Sequence, residues 1–510
     1  MQEQRTHRAK KNVIFTLLNQ LVATLCGIMI PRIMIGTFGS AAYGASTSIA
    51  QFLSYISLFE GGIGRVARGE LYRPLAQQND LQISKVYHAI KRFFSKLGIV
   101  FVVYTLFLAV FYYDLAKVSI FDRKYTFFLV LAIGLSTFGN YMGGIANLTL
   151  MNADQKQYLS NIIIMCTNIL NTVCILILVN LGSDILVVKL VSSMVFILRP
   201  LAYSGYVKRN YTLPKVDCDS STLKQKWTGI GQHIAYFLHT NTDVVLLTLL
   251  SDLNTVAVYS VYLMVAKSIW NISSSFSGGM EAAFGELIAK KEQKLLETSF
   301  QAYKVLLTIV SLTLFGTAII LIVPFIRLYT AGITDADYVQ PVFGLILLMA
   351  EVINCLVLPC TSMPVSGNHL KQTRWGSYME ALINIVVSLI LIPWNPLLGV
   401  ATGTLLATFF KAIYFIHYTA KNFLYCSFRN LLTRFCSYAM VLLVSGLAGM
   451  ALFWNKTVNN YFVWALWGVC IVVIMFATSL ILCRIQYPAE LKYLMSQYRG
   501  KIRKIFGKSR

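Results

Sequence analysis

A lysine stands in the middle of a long apolar run. Lys267 lies twelve residues from either end of the stretch 255–279, roughly 18 Å along a helix. Ser260, Asn271, Ser274 and Gly278 share its face at helical spacing. A charge at the centre of a bilayer costs roughly 2.5–3.5 kcal/mol on insertion scales, so such a residue faces a cavity or a partner. The chemistry open to an ammonium among amides and hydroxyls is the binding of an anion, or an ion pair with a nearby acid. Asp243 and Glu351 are the acids that could supply the pair.

Other polar groups sit in apolar runs. Arg199 and Lys411 stand about seven residues from a span end, where snorkelling and cavity roles both fit. Arg32, Arg327, Lys96 and Lys189 are nearer the ends, and their stems reach the interface. Asp243 shares a stripe with Gln232, Tyr236 and His239, and Glu351 with Asn354. The candidate substrate-binding residues are Lys267, Arg199, Lys411, Arg32, Gln51 and Asn271. The candidate ion-coupling residues are Asp243, Glu351, Glu60 and His239, with H+ or Na+ as the coupling ion.

These residues need membrane helices to hold them. Hydrophobic residues form 56% of the 510-residue chain and charged residues 13%, far from the quarter charged that a soluble domain carries. Fourteen apolar segments are expected, near 13–36, 41–63, 93–113, 125–150, 159–180, 184–206, 229–251, 255–279, 305–329, 338–361, 375–393, 398–418, 435–454 and 461–483. The first is too long for a signal-peptide core and lacks a small-residue cleavage site. An even count puts both termini on one side. Of the 44 Lys and Arg, the loops of the other side hold only Lys117, Arg123, Lys124 and Lys456. By the positive-inside rule both termini are cytoplasmic. The net charge of +23 is therefore a matter of topology and lipid contact, not of nucleic acid.

The outer loops are short, which leaves no room for an extracellular catalytic domain. No GxxxxGK[ST] nucleotide signature occurs. The ten cysteines form no CxxC pair and read as small buried hydrophobes, with no metal site and no disulfide framework. No enzyme activity and no cofactor are expected.

The chain also repeats itself. "GGIGRVARGEL" from Gly61 and "GGMEAAFGEL" from Gly278 both end in Gly-Glu-Leu. At an offset of 216, Tyr43 meets Tyr259, Gly62 meets Gly278, and the triplets coincide; Lys267 then falls on Gln51. "NADQKQ" from Asn152 and "GNHLKQ" from Gly367 match at 215. The expected organisation is a six-helix lobe over 1–206, a cytoplasmic linker over 207–228, a second six-helix lobe over 229–422, two further helices over 423–484 and a basic tail over 485–510. The fold class is an all-α polytopic membrane protein of about 14 helices, its lobes related by an axis along the membrane normal. Internal repeats of this kind are typical of transporters with the substrate held between the halves.

Glu60-Gly61-Gly62 at the end of the second segment, Asp243 in the seventh and "VAVYSVY" from Val256 occur in an order and spacing that resembles a known family. It is the polysaccharide-exporter (Wzx-type flippase) branch of the multidrug/oligosaccharidyl-lipid/polysaccharide exporter superfamily. Aspartate is the commoner residue where Glu60 stands. The resemblance spans nearly the whole chain. It implies flipping of undecaprenyl-diphosphate-linked oligosaccharide between leaflets of the bacterial cytoplasmic membrane, with membrane lipids, a polysaccharide polymerase and a chain-length regulator as partners. Two rivals remain within the superfamily: a cation-coupled multidrug antiporter and a peptidoglycan-precursor (lipid II) flippase.

Overall fold

The structure is a computed structural model, and it describes residues 2–60, 63–214, 216, 230–275, 277–453, 460–488 and 491. Gly61, Gly62, most of the linker, Lys456 and the tail beyond Leu491 lie outside the described residues, as does the side chain of Gln232. Among the described residues every regular element is helical. In chain order these are α1 (Gln2–Phe38), α2 (Ser40–Ser54), a 3-10 turn (Tyr55–Glu60), α3 (Ile63–Ala76), α4 (Asp80–Leu115), α5 (Arg123–Gly139), a π-helical turn (Asn140–Gly144), α6 (Ile145–Ala153), α7 (Gln157–Asn180), α8 (Ile185–Asn210), α9 (Ile230–Leu250), α10 (Leu253–Ser274) and α11 (Ser277–Lys290). They continue as α12 (Gln293–Tyr329), α13 (Pro341–Ser366), α14 (Leu370–Leu391), α15 (Pro396–Thr419), a second π-helical turn (Ala420–Leu424), α16 (Phe428–Phe453) and α17 (Tyr461–Gln486).

Eleven helices among the described residues are long and apolar enough to cross a membrane. The chain is a multi-pass membrane protein. Expected spans two, seven and eleven correspond to α2, α9 and α14, which are helices but fall short of that measure. α2 gives way to a 3-10 turn after Ser54, nine residues before the expected end of its span. α9 carries His233, His239, Asn241 and Asp243, and α14 carries Lys371, Arg374 and Glu380. The same polar residues that make these helices interesting lower their hydropathy.

The chain forms two compact units. Unit 1 is Met1–Ser260 with Ile333–Ala336. In it α5 packs on α8 and α4, α7 on α1 and α8, and α9 on α2. Its core includes Ile49, Leu53, Phe94, Phe101, Tyr112 and Leu129. The opposite face of α4 exposes Val100, Val103, Phe107 and Phe111. An exposed apolar face on a long helix is the surface that acyl chains solvate. Unit 2 is Val261–Gly332 with Asp337–Arg510. There α15 packs on α14 and α13, and α12 on α13, α16 and α17. Gly399 and Gly403 carry the α14–α15 contact. A Cβ on Gly403 would meet Ser388 Oγ at 2.2 Å and Asn384 O at 2.8 Å, as in small-residue packing of membrane helices.

The repeat is present in the backbone, in a corrected register. Helices start at Ser40 and Leu253, at Asp80 and Gln293, and at Gln157 and Leu370. Left-handed residues close the turns at Gln78 and Lys291, and at Gln155 and Asn368. Each pair is 213 residues apart. The offsets of 216 and 215 read from identical residues are two or three positions too long. Three residues is close to one helical turn, so identities on one face can align in the wrong turn. In the register of the backbone Lys267 answers to Ser54, and Gln51 to Met264.

Candidate functional site

Two polar clusters are built inside the helices, one in each unit. In unit 1 a polar seam runs between α2 and α9. At its buried end Ser48 Oγ and Thr248 Oγ1 are 2.7 Å apart. One turn along α2 and two along α9, Gln51 Nε2 donates to Asn241 Oδ1 at 2.8 Å and, at 3.2 Å, to Ser54 Oγ. The Asn241 amide group is itself anchored, donating to Phe237 O at 2.9 Å. The rings of Tyr55 and Phe237 then meet edge to face at 5.0 Å. Past them His233 Nε2 lies 3.0 Å from Ser57 O. The seam exists because polar side chains of α2 and α9 face each other at Ser48–Thr248 and Gln51–Asn241, where each satisfies the other's buried group.

Acids flank this seam. Asp243 is 5% exposed and accepts from the Tyr259 hydroxyl at 2.7 Å. His239, one turn away on α9, is equally buried. Glu60 closes the 3-10 turn and accepts from the Tyr141 hydroxyl at 2.6 Å. Tyr141 sits in the π-helical turn between α5 and α6, where Gly143 takes φ 146°. π-turns within membrane helices are frequent at functional positions. Arg199 on α8 reaches α7. Its Nε donates to Thr167 Oγ1 at 2.7 Å, its Nη2 to Asn168 Oδ1 at 2.6 Å, and the guanidinium stacks over Phe196 at 4.3 Å. These partners are neutral. They fix the fork and leave its charge uncompensated. Arg32 is half-buried near the end of α1.

Unit 2 resolves the cations differently. Lys411 Nζ is 2.9 Å from Glu380 Oε1, with side chains 15% and 5% exposed. The same Nζ donates to Asn354 Oδ1 at 3.3 Å, and Asn354 Nδ2 reaches Glu351 Oε2 at 3.5 Å. Lys411 thus belongs to a buried network of four residues from α13, α14 and α15. Lys267 does not. It is exposed on α10, as is Asn271 one turn on, and no ion pair or hydrogen bond holds its ammonium among the described residues. Ser260, two turns before, is buried. The polar face of α10 therefore opens as it runs from Ser260 towards Gly278.

Sequence reasoning missed Glu380, Asn241, Tyr259 and Tyr141. Glu380 had a signal available, an acid within an apolar run, the same signal that picked out Lys267. The tyrosines had none, because a phenol in a membrane helix is common and its partner stands on another helical segment.

No protein-family model matches the chain, and no curated protein matches it. Solved structures do. The lipid II flippase MurJ in an inward closed conformation shares 13% identity over 94% of this chain and 98% of its own, with a TM-score of 0.69. An inward-facing multidrug-resistance MATE family transporter of the MOP superfamily shares 14% over 79% of this chain and 95% of its own, with a TM-score of 0.60. A eukaryotic MATE transporter shares 12% over 86% and 99%, with a TM-score of 0.59. The chain has the polytopic helical fold of these proteins.

Proposed function

We propose that this protein is a flippase of the MOP type, carrying undecaprenyl-diphosphate-linked oligosaccharide from the inner to the outer leaflet of a bacterial cytoplasmic membrane by alternating access. Both termini are placed in the cytoplasm, and the energy is drawn from an H+ or Na+ gradient. The observation that carries this reading is Lys267, an ammonium within α10, seven residues before the helix ends at Ser274, exposed and without an acid partner among the described residues. A diphosphate is the part of such a substrate that an uncompensated cation would hold. Hydroxyls, amides and tyrosines, the groups of the α2–α9 seam, suit a glycan. Asp243, His239, Glu60 and Glu351 are the titratable groups within the helices available to an ion gradient. The fold is also that of multidrug-resistance MATE family transporters and of a lipid II flippase.

The test is surface polysaccharide in cells carrying Lys267 variants, with membrane abundance measured alongside. Lys267→Arg keeps partial export, while Lys267→Gln and Lys267→Ala lose it at normal abundance. Full export from Lys267→Ala sinks the substrate role. If deleting the gene leaves surface glycan intact but changes drug tolerance, the antiporter reading replaces this one. If depletion instead stops peptidoglycan synthesis, the cargo is lipid II.

A further inference from the structure

At one end of unit 2 two cations share a single aromatic ring. Lys304 on α12 holds Nζ 5.1 Å from the ring centroid of Tyr487. Arg434 on α16 holds Cζ 4.4 Å from the same centroid. Tyr487 is the residue that follows α17 and caps it, its N–H donating to Cys483 O at 2.8 Å. Lys304 is 8% exposed, and its Nζ is buried with no hydrogen-bond partner. Arg434 is half-buried and is the open side of the cluster. Neither cation has an ion pair among the described residues. The preceding acid on α12, Glu297, lies two turns away and accepts from Gln293 Nε2 at 3.1 Å. Partial burial pushes the Cys426 thiol up; the charge of Lys304 pulls it part of the way back and that of Glu297 pushes it further, which sets both side chains near the loop after α15.

This arrangement is incomplete as it stands. A ring face holds a cation only weakly, and two like charges on one ring repel. A buried ammonium is otherwise tolerated only with an anionic or strongly accepting partner. Nothing in the described protein provides one. The position says what does. Lys304 immediately precedes the apolar run of α12, Arg434 that of α16, and Tyr487 follows that of α17. All three are at the depth where lipid headgroups lie. A phosphate oxygen fits the Arg434 fork on the open side of the cluster, and its charge offsets that of the Lys304 ammonium against the same ring.

We propose that Lys304, Arg434 and Tyr487 form a phosphate site occupied by the phosphodiester of an anionic phospholipid in the inner leaflet. It is separate from the polar residues assigned to the transported substrate and does not depend on what that substrate is.

The experiment uses the purified full chain in nanodiscs of phosphatidylcholine, with and without phosphatidylglycerol, and reads the melting temperature. The wild type gains at least about 3 °C from phosphatidylglycerol. Lys304→Met melts as high as the wild type, or higher, in the neutral lipid, because an uncompensated charge has gone. It loses most of the gain from the anionic lipid. Arg434→Gln also loses the gain. Lys294→Gln, an exposed lysine on the same helix, keeps it and controls for general attraction to a basic protein. Undiminished gains in both Lys304→Met and Arg434→Gln overturn the site. If Lys304→Met does not fold, Arg434→Gln decides by the same readout. A shift with inorganic phosphate alone, in neutral nanodiscs, assigns the cluster to a soluble anion and overturns the lipid assignment.

Discussion

Lys411 on α15 and Glu380 on α14 form an ion pair of 2.9 Å deep within unit 2, and Asn354 ties that pair to Glu351 on α13. Breaking a buried pair from one side strands the other charge, at a cost of about 3–5 kcal/mol. Lys411→Met and Glu380→Gln singly should therefore lower abundance and melting temperature. The double variant should recover most of both. A double variant that is no better than the singles would mean the two charges are not compensating each other.

The α2–α9 seam makes a similar but milder claim. Asn241→Leu removes one of the two acceptors of Gln51 Nε2 and leaves one N–H of a part-buried amide without a partner, worth about 1–3 kcal/mol. Adding Gln51→Leu should restore stability towards the wild type. Thermal denaturation of the three variants reads this directly. Equal and additive losses would show that the two amides do not act as a unit.

Arg199 is held as a fork, not as a point charge. Arg199→Lys keeps the cation but cannot make both the 2.7 Å bond to Thr167 and the 2.6 Å bond to Asn168. We expect Arg199→Lys to behave like Arg199→Gln in stability, lower than wild type by about 1–3 kcal/mol. A lysine variant as stable as the wild type would show that charge alone matters there.

The α1–α2 turn depends on Gly39, which takes φ 86°. Across it the Asp335 carboxylate caps α2 from a distant loop, accepting from Ser40 N and Ser40 Oγ at 2.6 Å each. A Cβ on Gly39 would stand 3.1 Å from Asp335 Oδ2. Gly39→Ala should cost about 1–2 kcal/mol in backbone strain, and Asp335→Asn about 1 kcal/mol through the weakened cap. Melting of the purified variants checks both, and an unchanged Gly39→Ala would rule out the strain.

The topology proposed from the charge census has a direct test. A reporter active only in the cytoplasm should work when fused at Arg510 and fail after Asp122. The reverse pattern would invert the protein in the membrane.

Much of this molecule was legible before any coordinates. The helical class, the multi-pass character and the existence of an internal repeat follow from where apolar runs, cations and the Gly-Glu-Leu triplets fall. Those are local properties, and the bilayer reads them locally: each run either satisfies its own backbone as a helix or does not cross. The register of the repeat was not legible. Identical residues put it at 216, and only the turns at Gln78, Lys291, Gln155 and Asn368 set it at 213. A match one turn out still puts like residues on nearly the same face, so composition cannot tell the two apart.

Pairing was beyond the sequence for a related reason. Lys267 and Lys411 look alike in a list of charged residues within spans. Tertiary packing separated them, because α14 brings Glu380 to Lys411 while among the described residues no helix brings an acid to Lys267. Likewise Asp243 and Glu60 stood out as acids, but the tyrosines that hold them, Tyr259 and Tyr141, are chosen by which helix turns lie opposite. A charge inside a membrane announces that it needs a partner. Which group answers is decided by how separate helices cross, a property that no single span contains.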